Sequence, residues 1–264
     1  MNLLYTEGLT REFGGIIAVS NVDFEVEEGL ITGLIGPNGA GKTTCFNNMT
    51  GLDTPTKGKV FFKVNGEDKD ITGWPAYKIC RLGIARTFQN IRLFKELTVG
   101  ENIMVGCHFK TGKSPFSGRF TNAIRSYVRM KDETEELYER TRKWMEFFNL
   151  AQFEYETAKN LPYGQQRELE IARAMASDPK LLFLDEPAAG MNPNETEDLM
   201  KTILRIRDLG VTVVLIEHDM RLVMQICDNI TVLNYGQKIA CGTPNDIKHD
   251  PQVIEAYLGK EDEE

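Results

Sequence analysis

A glycine-rich stretch, GPNGAGKTT at Gly36–Thr44, constrains the fold of this chain more than any other feature. It matches the pattern G-x-x-x-x-G-K-[ST], and it stands between the apolar run LITGLIG and a segment of helical character. In such a loop, backbone N–H groups and the N-terminus of the following helix surround phosphate groups, and glycines remove the side chains that would block their approach. The stretch therefore predicts a strand, a phosphate-binding loop and a helix in that order. The alternative is a chance glycine-rich turn.

Each position of this stretch has an expected part in phosphate binding. We expect Lys42 to reach the β- and γ-phosphates, Thr43 to place its hydroxyl on Mg²⁺, and Thr44 to contact a more internal phosphate. The rest of the loop supplies backbone donors and close approach, and it consists of Gly36, Pro37, Asn38, Gly39, Ala40 and Gly41. Such a loop by itself does not separate kinases, GTPases and motor ATPases.

Two adjacent acids narrow the choice. Asp185 and Glu186 follow an apolar run in LLFLDEP, so they stand at the end of a predicted buried strand. There the first carboxylate can hold the Mg²⁺ shell, and the second can orient a water molecule against the γ-phosphate. A solvated turn with two acids is the alternative. Together with Lys42, the pair predicts nucleotide hydrolysis.

Two more polar residues stand near apolar strands. His218 directly follows the apolar part of VVLIEHDM, and Gln89 lies in ARTFQNIRLF. Parallel strands that end at one edge of a sheet deliver their carboxyl ends to one ligand crevice. We therefore expect His218 to contact the γ-phosphate, with a solvated surface histidine as the alternative. By itself, Gln89 would be read as an ordinary exposed polar residue, and it becomes a site candidate only in combination with the other residues.

Two hydrophobic patterns predict an α/β fold. The runs LITGLIG, LLFLD and VTVVLIE are short and almost continuously apolar, which is typical of parallel strands covered on both faces. By contrast, Val22, Phe24 and Val26 alternate with polar residues, as in a half-exposed antiparallel strand. We expect a core with a mainly parallel sheet and an N-terminal antiparallel β subdomain. A further strand pair, ITVLNYGQKIACG, is expected to turn at Tyr235 and Gly236.

A helical pattern interrupts this core. The segment ETEELYERTRKWMEFFNL places Leu137, Trp144, Met145 and Phe148 on or near one face of a helix. It predicts an inserted α-helical subdomain that continues into a further helix from about residue 165.

The length of 264 residues and the 41% hydrophobic content suffice for a sizeable buried core. We expect a single domain, in which residues 1–97 and 161–258 form the core, 98–160 the helical subdomain and 259–264 an acidic tail. A final helix is expected around VIEAYLG.

Composition excludes several classes of protein. The net charge of −8 argues against a protein that wraps nucleic acid. No stretch approaches the roughly 18 apolar residues that a membrane helix needs, and the opening MNLLYTEGLT has no signal-peptide character. The cysteines are odd in number and widely spaced, so we expect reduced packing residues: Cys45, Cys80, Cys107, Cys227 and Cys241.

Taken together, these motifs resemble those of ATP-binding-cassette ATPases. GPNGAGKTT, Gln89, LPYGQQR, LLFLDEP, AAGMNP and His218 occur in the order and approximate spacing of that family, over nearly the whole chain. More narrowly, ARTFQNIRLF, YGQQRELEIARAM, LDEPAAGMNP, IEHDM and VIEAYLG resemble the ATPase subunits of branched-chain or other hydrophobic amino-acid importers. The resemblance implies a P-loop ATPase fold, with ATP and Mg²⁺ in the site.

The same resemblance implies a role for individual residues. Glu186 matches the catalytic base, Asp185 the magnesium-shell acid and His218 the γ-phosphate sensor. Gln89 matches the residue that touches both Mg²⁺ and the attacking water. Phe13, in the turn REFGG, matches the aromatic residue that stacks on adenine, with core packing as the alternative.

A helix entrance without a capping side chain, LPYGQQR, also gains meaning from the resemblance. The family's signature turn is commonly written LSGGQ, and Gly164 and Gln165 match its last two positions. In the family, two cassettes meet head to tail, and the signature turn of one closes over nucleotide held by the other. A glycine before a helix N-terminus leaves N–H groups open to an anion. We therefore expect Gly164 and Gln165 to contact nucleotide held by the opposing subunit.

Two residues depart from the family pattern. Pro162 replaces the signature serine and removes both a hydroxyl and a backbone N–H donor. Asn192 stands where many members carry aspartate, so its amide can bridge subunits without charge. In addition, the segment Phe109–Lys131 carries lysines and arginines without an acid, and it suits either a membrane partner or a solvated insertion.

The resulting expectation is the ATP-hydrolysing subunit of an importer, peripheral on the cytoplasmic face of the cell's inner membrane. Its expected partners are transmembrane permease subunits, a second cassette of the same or a related chain and, indirectly, a substrate-binding protein; no nucleic acid is expected. The alternatives are an importer of another small substrate and a soluble cassette protein acting on ribosomes or DNA. The latter usually carry a second cassette, a long coiled-coil insertion or a basic arm, which this sequence does not show.

Overall fold

The computed structural model describes residues 1–107 and 123–258, and the side chains of these residues apart from 123–134 and 258. The chain divides into two units, of which the first comprises Met1–Gln89 and Lys180–Glu264 and the second Asn90–Pro179. The second unit contains the predicted helical insertion and the helix that follows it. The acidic tail lies outside the described residues, as does most of the basic segment 109–131.

Two sheets and a set of helices make up the described structure. The strands in chain order are β1 (Asn2–Phe13), β2 (Ile16–Val22), β3 (Glu25–Glu27), β4 (Ile31–Ile35), β5 (Lys57–Val64), β6 (Glu67–Asp70), β7 (Ile84–Arg86), β8 (Leu181–Asp185), β9 (Thr212–Ile216), β10 (Asn229–Asn234) and β11 (Gln237–Gly242). The helices in chain order are α1 (Lys42–Met49), α2 (Ala76–Arg81), α3 (Val99–Cys107), α4 (Ala123–Phe147), α5 (Tyr163–Met175), α6 (Pro193–Asp208), α7 (Met220–Ile226), α8 (Pro244–His249) and α9 (Pro251–Leu258). Short 3-10 helices occupy Ala151–Phe153 and Ala158–Asn160.

The larger sheet has the strand order β11-β10-β4-β9-β8-β7. All neighbours in it are parallel except β10 and β11, which form the antiparallel hairpin predicted around Tyr235 and Gly236. Every residue of β4, β8 and β9 is buried. The continuous apolar runs are therefore parallel strands covered on both faces, as predicted.

The smaller sheet is antiparallel. In it β1 pairs with β2, β3 and β5, and β5 pairs with β6. Val22, Phe24 and Val26 are all fully buried, while the residues between them are exposed. The alternating pattern therefore belongs to an N-terminal antiparallel sheet with one face in the core.

Helix α1 joins the two sheets through the core of the first unit. Phe46 of α1 packs edge to face against Phe183 of β8, with 4.9 Å between ring centroids. Cys45 and Met49 are fully buried in the same cluster, together with Leu4 and Phe62 of the antiparallel sheet. This packing fixes the helix and thereby the loop that precedes it.

The second unit is helical. Trp144, Met145 and Phe148 are buried as predicted, and Leu137 is half-buried. Helix α3 packs against α5 at such close range that a Cβ added to Gly106 would lie 2.2 Å from the carbonyl oxygen of Arg173. Helix α5 begins at Tyr163, two residues before the predicted start, because Pro162, which needs no N–H partner, takes the N-cap position.

Within residues 1–107 and 123–258, no helix has both the length and the apolar character needed to cross a membrane. The five cysteines are free thiols, and burial raises the pKa of Cys45 and Cys227 to about 12. Cys241 is exposed, unlike the others, so it is the exception to the predicted packing role.

Candidate functional site

The loop between β4 and α1 needs glycine for reasons of packing as well as of ligand access. Gly36 has φ +148°, and a Cβ there would lie 2.0 Å from the carbonyl oxygen of Leu233. Gly41 caps α1 with φ +96°, and a Cβ there would lie 2.4 Å from the carbonyl oxygen of Ala18. At Gly39, by contrast, an added Cβ would meet nothing within 4 Å. Neighbouring backbone therefore holds both ends of the loop, and its middle faces open space that suits a phosphate.

The C-terminal part of the chain also supports this loop. The backbone N–H of Gly236, in the β10–β11 turn, donates to the carbonyl of Ala40 at 3.1 Å. Burial raises the pKa of Tyr257 on α9, and a hydrogen bond from the backbone N–H of Gly36 partly opposes this effect. Elements more than 190 residues further along the chain thus contact the phosphate loop.

The amine of Lys42 lies against the backbone of its own phosphate-binding loop. Its side chain is buried, and Nζ donates to the carbonyl oxygens of Gly36 at 2.7 Å and Pro37 at 2.9 Å. Burial lowers the pKa of the Lys42 amine, while the carboxylates of Glu186 and Asp185 act in the opposite direction. The amine is therefore fixed by the loop carbonyls close to Glu186, the predicted base, and Asp185, the predicted magnesium-shell acid.

Asp185 ends β8 as half of a buried ion pair. Its Oδ2 accepts a hydrogen bond of 2.7 Å from Nη2 of Arg86, and both side chains are less than a tenth exposed. Arg86 Nη1 also donates to Asn47 and to Thr50, each at 2.8 Å, both of which belong to the α1 region. Sequence analysis missed Arg86, which links the ends of β7 and β8 to the helix after the phosphate loop.

Glu186, Gln89 and His218 come together at the edge of the parallel sheet. Gln89 Nε2 donates to Glu186 Oε2 at 2.9 Å, and Nδ1 of His218 lies 3.8 Å from the same oxygen. Glu186 has φ +46°, a strained left-handed conformation for a non-glycine residue, and its N–H donates to the carbonyl of Ile216 at 3.0 Å. The residues predicted from separate strand ends are therefore neighbours.

Glu217, which precedes His218, is a second residue that sequence analysis missed. Its side chain is 1% exposed, and its two oxygens accept hydrogen bonds from the backbone N–H groups of Ala188 and His218. Burial raises the pKa of the Glu217 carboxyl, and these backbone hydrogen bonds act against that rise. The signal in the sequence is an acid that directly follows a strand that is apolar except for its first residue, Thr212.

The predicted metal residues have the chemistry that Mg²⁺ prefers. Thr43, Gln89 and Asp185 offer a hydroxyl, an amide and a carboxylate oxygen, which are hard ligands. Thr43 is exposed at the start of α1, whereas Asp185 is buried and forms an ion pair with Arg86. The described residues hold no cluster of three or more His, Cys, Asp or Glu side chains that could bind a metal by themselves. Such a donor set fits Mg²⁺ held partly by water and substrate phosphates.

Phe13 lies at the end of β1 with 45% of its surface exposed, which favours stacking over core packing. The guanidinium of Arg11 lies 4.3 Å from the centre of its ring, in cation–π contact. Arg11 is held in turn by Asp53, with Nη2 and Oδ1 at 2.8 Å. One face of the Phe13 ring is thus covered by an anchored cation that sequence analysis missed.

The predicted signature turn belongs to the second unit. Gly164 and Gln165 are half-buried in the first turn of α5, and no side chain caps that helix. Arg167 is fully buried and forms a 2.8 Å ion pair with Glu170, and its other terminal nitrogen, Nη2, lies 3.4 Å from the hydroxyl of Tyr163. Contacts of the buried Arg167 side chain therefore stabilise the first turn of α5, and no side chain caps the N–H groups at its start.

Asn192, the second departure from the family pattern, caps helix α6. Its side chain accepts hydrogen bonds from the backbone N–H groups of Asn194 and Glu195, and Glu195 reciprocates toward the backbone of Asn192. This capping box fixes the end of the loop that follows Glu186.

The sequence matches two known families. Residues 19–189 match the family described as ABC transporter. Residues 237–263 match the family described as branched-chain amino acid ATP-binding cassette transporter.

Curated relatives align with the chain from end to end. It is 49% identical to the high-affinity branched-chain amino acid transport ATP-binding protein BraF of Pseudomonas aeruginosa, with 98% of each chain covered. It is 46% identical to the ATP-binding protein LivG of Escherichia coli, again with 98% of each covered. The probable LivG protein of Archaeoglobus fulgidus is 39% identical, over 100% of this chain and 98% of the relative.

Solved structures of similar shape are also cassettes. An ATP-binding cassette of an ABC transporter in its ADP conformation has a TM-score of 0.82 and 34% identity, with 98% of this chain and 100% of that one covered. A dimeric post-hydrolysis state of another cassette, bound to ADP and Pi, has a TM-score of 0.72 and 25% identity, with 91% and 98% covered.

Proposed function

The chain belongs to the ABC transporter family, and we propose that it is the ATP-hydrolysing, energy-coupling subunit of an importer for branched-chain amino acids. Two features of the chain support the amino-acid class. Relatives with 46% to 49% identity over nearly their whole length are named as branched-chain amino acid transport ATP-binding proteins. The C-terminal residues 237–263 match the branched-chain family independently of the catalytic motifs.

The grouping of Gln89, Glu186 and His218 is the observation that carries the ATPase function. Glu186 Oε2 lies 2.9 Å from the Gln89 amide and 3.8 Å from the His218 ring nitrogen. We assign Glu186 as the general base that takes a proton from water as the water attacks the γ-phosphorus of ATP; the bond from that phosphorus to the β–γ bridging oxygen breaks, and ADP and phosphate are the products. Gln89 orients both the carboxylate and that water, and His218 donates a hydrogen bond to the γ-phosphate.

The phosphate loop holds the other end of the reaction. We assign Gly36–Thr44 to the phosphates of ATP, with backbone N–H groups as donors and Lys42 as the cation near the β- and γ-phosphates. Thr43, Gln89 and Asp185 would hold Mg²⁺, which when bound neutralises charge on the phosphate oxygens. Phe13 stacks on the adenine ring, opposite the face that Arg11 covers.

A second cassette completes the site in this proposal. The uncapped start of α5 at Gly164 and Gln165 presents backbone donors to a γ-phosphate held by the opposing subunit. A dimeric cassette with bound ADP and Pi is among the structures of similar fold, which supports assembly in pairs. ATP-driven closure and hydrolysis-driven opening of the pair then move the attached permease subunits.

The remaining partners follow from the importer assignment. We propose that the chain binds transmembrane permease subunits at the cytoplasmic face of the inner membrane, and that a substrate-binding protein acts through the permease. The second cassette is a copy of this chain or a related chain.

Reconstitution tests the function directly. The chain is co-expressed with candidate permease subunits and a candidate partner cassette, and the complex is placed in proteoliposomes with a substrate-binding protein. We expect MgATP hydrolysis and uptake of radiolabelled leucine, isoleucine or valine, and loss of both in a complex carrying Glu186→Gln. ATPase activity with uptake of another small substrate would reject the amino-acid class alone.

A pull-down from detergent-solubilised membranes tests the alternative of a soluble cassette protein that acts on ribosomes or DNA. Recovery of the permease subunits supports the importer. Recovery of ribosomes or DNA without the permease would identify a soluble cassette protein and reject the proposal.

A further inference from the structure

Glu217 connects two loops that the ATPase mechanism treats separately. Its Oε1 accepts a hydrogen bond of 2.7 Å from the backbone N–H of Ala188, in the loop that follows Glu186. Its Oε2 accepts one of 3.2 Å from the backbone N–H of His218 and lies 3.9 Å from Nδ1 of the His218 ring. One carboxylate therefore contacts both the loop after the base and the predicted γ-phosphate sensor.

The loop that follows Glu186 is held at both ends, at one by Glu217 and at the other by the N-cap of helix α6. It begins at Ala188, where Glu217 holds the backbone, and ends at Asn192, which caps helix α6 with a capping box. Internal turns join the two ends, since Ala189 N donates to Glu186 O at 3.2 Å and Met191 N to Ala188 O at 3.0 Å. A displacement of Glu217 would therefore pass through a short, hydrogen-bonded loop to Asn192.

Burying a carboxylate at position 217 carries a larger desolvation free energy than burying a neutral polar side chain there would. Glu217 is 1% exposed, and burial of a carboxylate is expensive unless strong hydrogen bonds compensate for it. A carboxylate offers two equivalent acceptor oxygens, and here each oxygen serves a different loop. Glutamine offers one acceptor and would direct its NH₂ group at one of the two N–H donors.

We propose that Glu217 is a positioning residue that couples His218 to the loop Ala188–Asn192, and so links γ-phosphate sensing to the segment that ends at Asn192, the residue expected from the family resemblance to bridge subunits. This inference rests on the proposed ATPase function. Glu217 contacts no reacting atom; it acts through the backbone of Ala188 and of His218. When His218 engages the γ-phosphate, the shared carboxylate holds the loop after Glu186 in the arrangement needed for closure and hydrolysis.

The test compares Glu217→Gln and Glu217→Asp with the control Glu67→Gln, which alters an exposed glutamate on β6. Glutamine keeps the shape without the second acceptor, and aspartate keeps the charge but is one methylene short of Ala188. We expect both Glu217 variants to lower kcat of the assembled complex by about ten- to a hundredfold, the size expected for loss of a hydrogen bond to a charged group. The KM for ATP and the ATP affinity of the isolated chain should stay close to wild type, and its melting temperature without nucleotide should fall by only a few degrees.

A second measurement separates coupling from local damage. In a Glu186→Gln background, Glu217→Gln should weaken ATP-driven association with the partner cassette while the isolated chain still binds ATP normally. Normal association, or a kcat within twofold of wild type, would overturn the proposal. So would a parallel fall in melting temperature and ATP affinity for both Glu217 variants, since that result describes a structural brace. A wild-type complex that hydrolyses no ATP would reject the proposed function and this inference with it.

Discussion

The side-chain amide of Gln89 donates a 2.9 Å hydrogen bond to the carboxylate of Glu186, although 97 positions separate the two residues in the chain. The same carboxylate lies near His218, and the backbone of Glu186 is held in a left-handed conformation by its bond to Ile216. The orientation of the proposed base is thus fixed from three directions. Pre-organisation of this kind lowers the cost of aligning a water molecule for attack.

Replacing Glu186 with glutamine should abolish most hydrolysis and leave ATP binding intact. The amide keeps the shape of the side chain but cannot accept the proton of the attacking water, and a positioned general base contributes about 10²- to 10⁴-fold to rate. Single-turnover hydrolysis and equilibrium ATP binding measure the two effects separately. Near-normal turnover would remove Glu186 from its assigned role.

Lys42→Ala should weaken nucleotide binding itself. The variant removes a buried cation next to the predicted phosphates, and a charge-assisted hydrogen bond is worth about 1.5–3 kcal/mol. Titration calorimetry on the isolated chain measures the loss, with Lys57→Ala on an exposed lysine as the control. An ATP affinity equal to that of the control would contradict the assignment.

Substitutions at Phe13 distinguish a role in stacking on adenine from a role in core packing. Phe13→Tyr and Phe13→Trp should retain ATP affinity, and Phe13→Ala should lose about 1–3 kcal/mol of binding free energy if adenine stacks on the ring. Thermal melting without nucleotide supplies the control. An alanine variant that melts early but binds ATP normally would make Phe13 a packing residue.

Gly164→Asp should leave ATP binding by the isolated chain unchanged and prevent closure of the cassette pair. The new carboxylate would stand against a γ-phosphate in a partly dry interface, where like charges repel strongly. The variant is made in the Glu186→Gln background, and ATP binding and ATP-driven association are measured separately. Gln152→Asp, which adds an acid to an exposed site in the same unit, is the matched control.

Loss of ATP binding by isolated Gly164→Asp would mean that the turn acts on nucleotide of its own subunit, contrary to the proposal. In the same assay, Pro162→Ser should be tolerated, since it restores a donor to a turn that already begins a helix.

Arg86→Met should destabilise the first unit by about 3–5 kcal/mol, because it leaves the buried Asp185 carboxylate without its cation. Chemical denaturation measures the change in the free energy of unfolding. The double variant Arg86→Met with Asp185→Asn should recover part of the loss, since the uncompensated charge is gone. Equal stability of wild type and Arg86→Met would show that the ion pair contributes nothing to the fold.

Much of the site could be predicted from short stretches of sequence because the chemistry of these stretches is local. A phosphate loop needs glycines, a lysine and a helix start within nine residues, and GPNGAGKTT supplies all of them. The acids of LLFLDEP and the histidine of VVLIEHDM each follow a run apolar enough to predict a buried strand, and parallel strands bring their ends to one edge.

The residues that were missed depend on partners far away in the chain. Arg86 and Asp185 are 99 positions apart, and nothing around Arg86 marks it as buried. Glu217 has a local signal, the acid that ends an apolar strand, but its partner Ala188 lies 29 positions earlier. Sequence patterns report which face of an element is apolar, whereas hydrogen bonds between distant segments depend on how the elements pack.

The sequence by itself therefore determined the class of fold, the phosphate loop and the acids and histidine at the strand ends, because periodicity and motif spacing are properties of contiguous residues. Tertiary structure alone decided that Gly36 and Gly41 are required by the backbone of Leu233 and Ala18, and that Asp185 shares its charge with Arg86. It also decided that Glu217 bonds to two loops at once. These features arise from close packing between strands and loops that are remote in sequence, where a contact exists only after the sheet has formed.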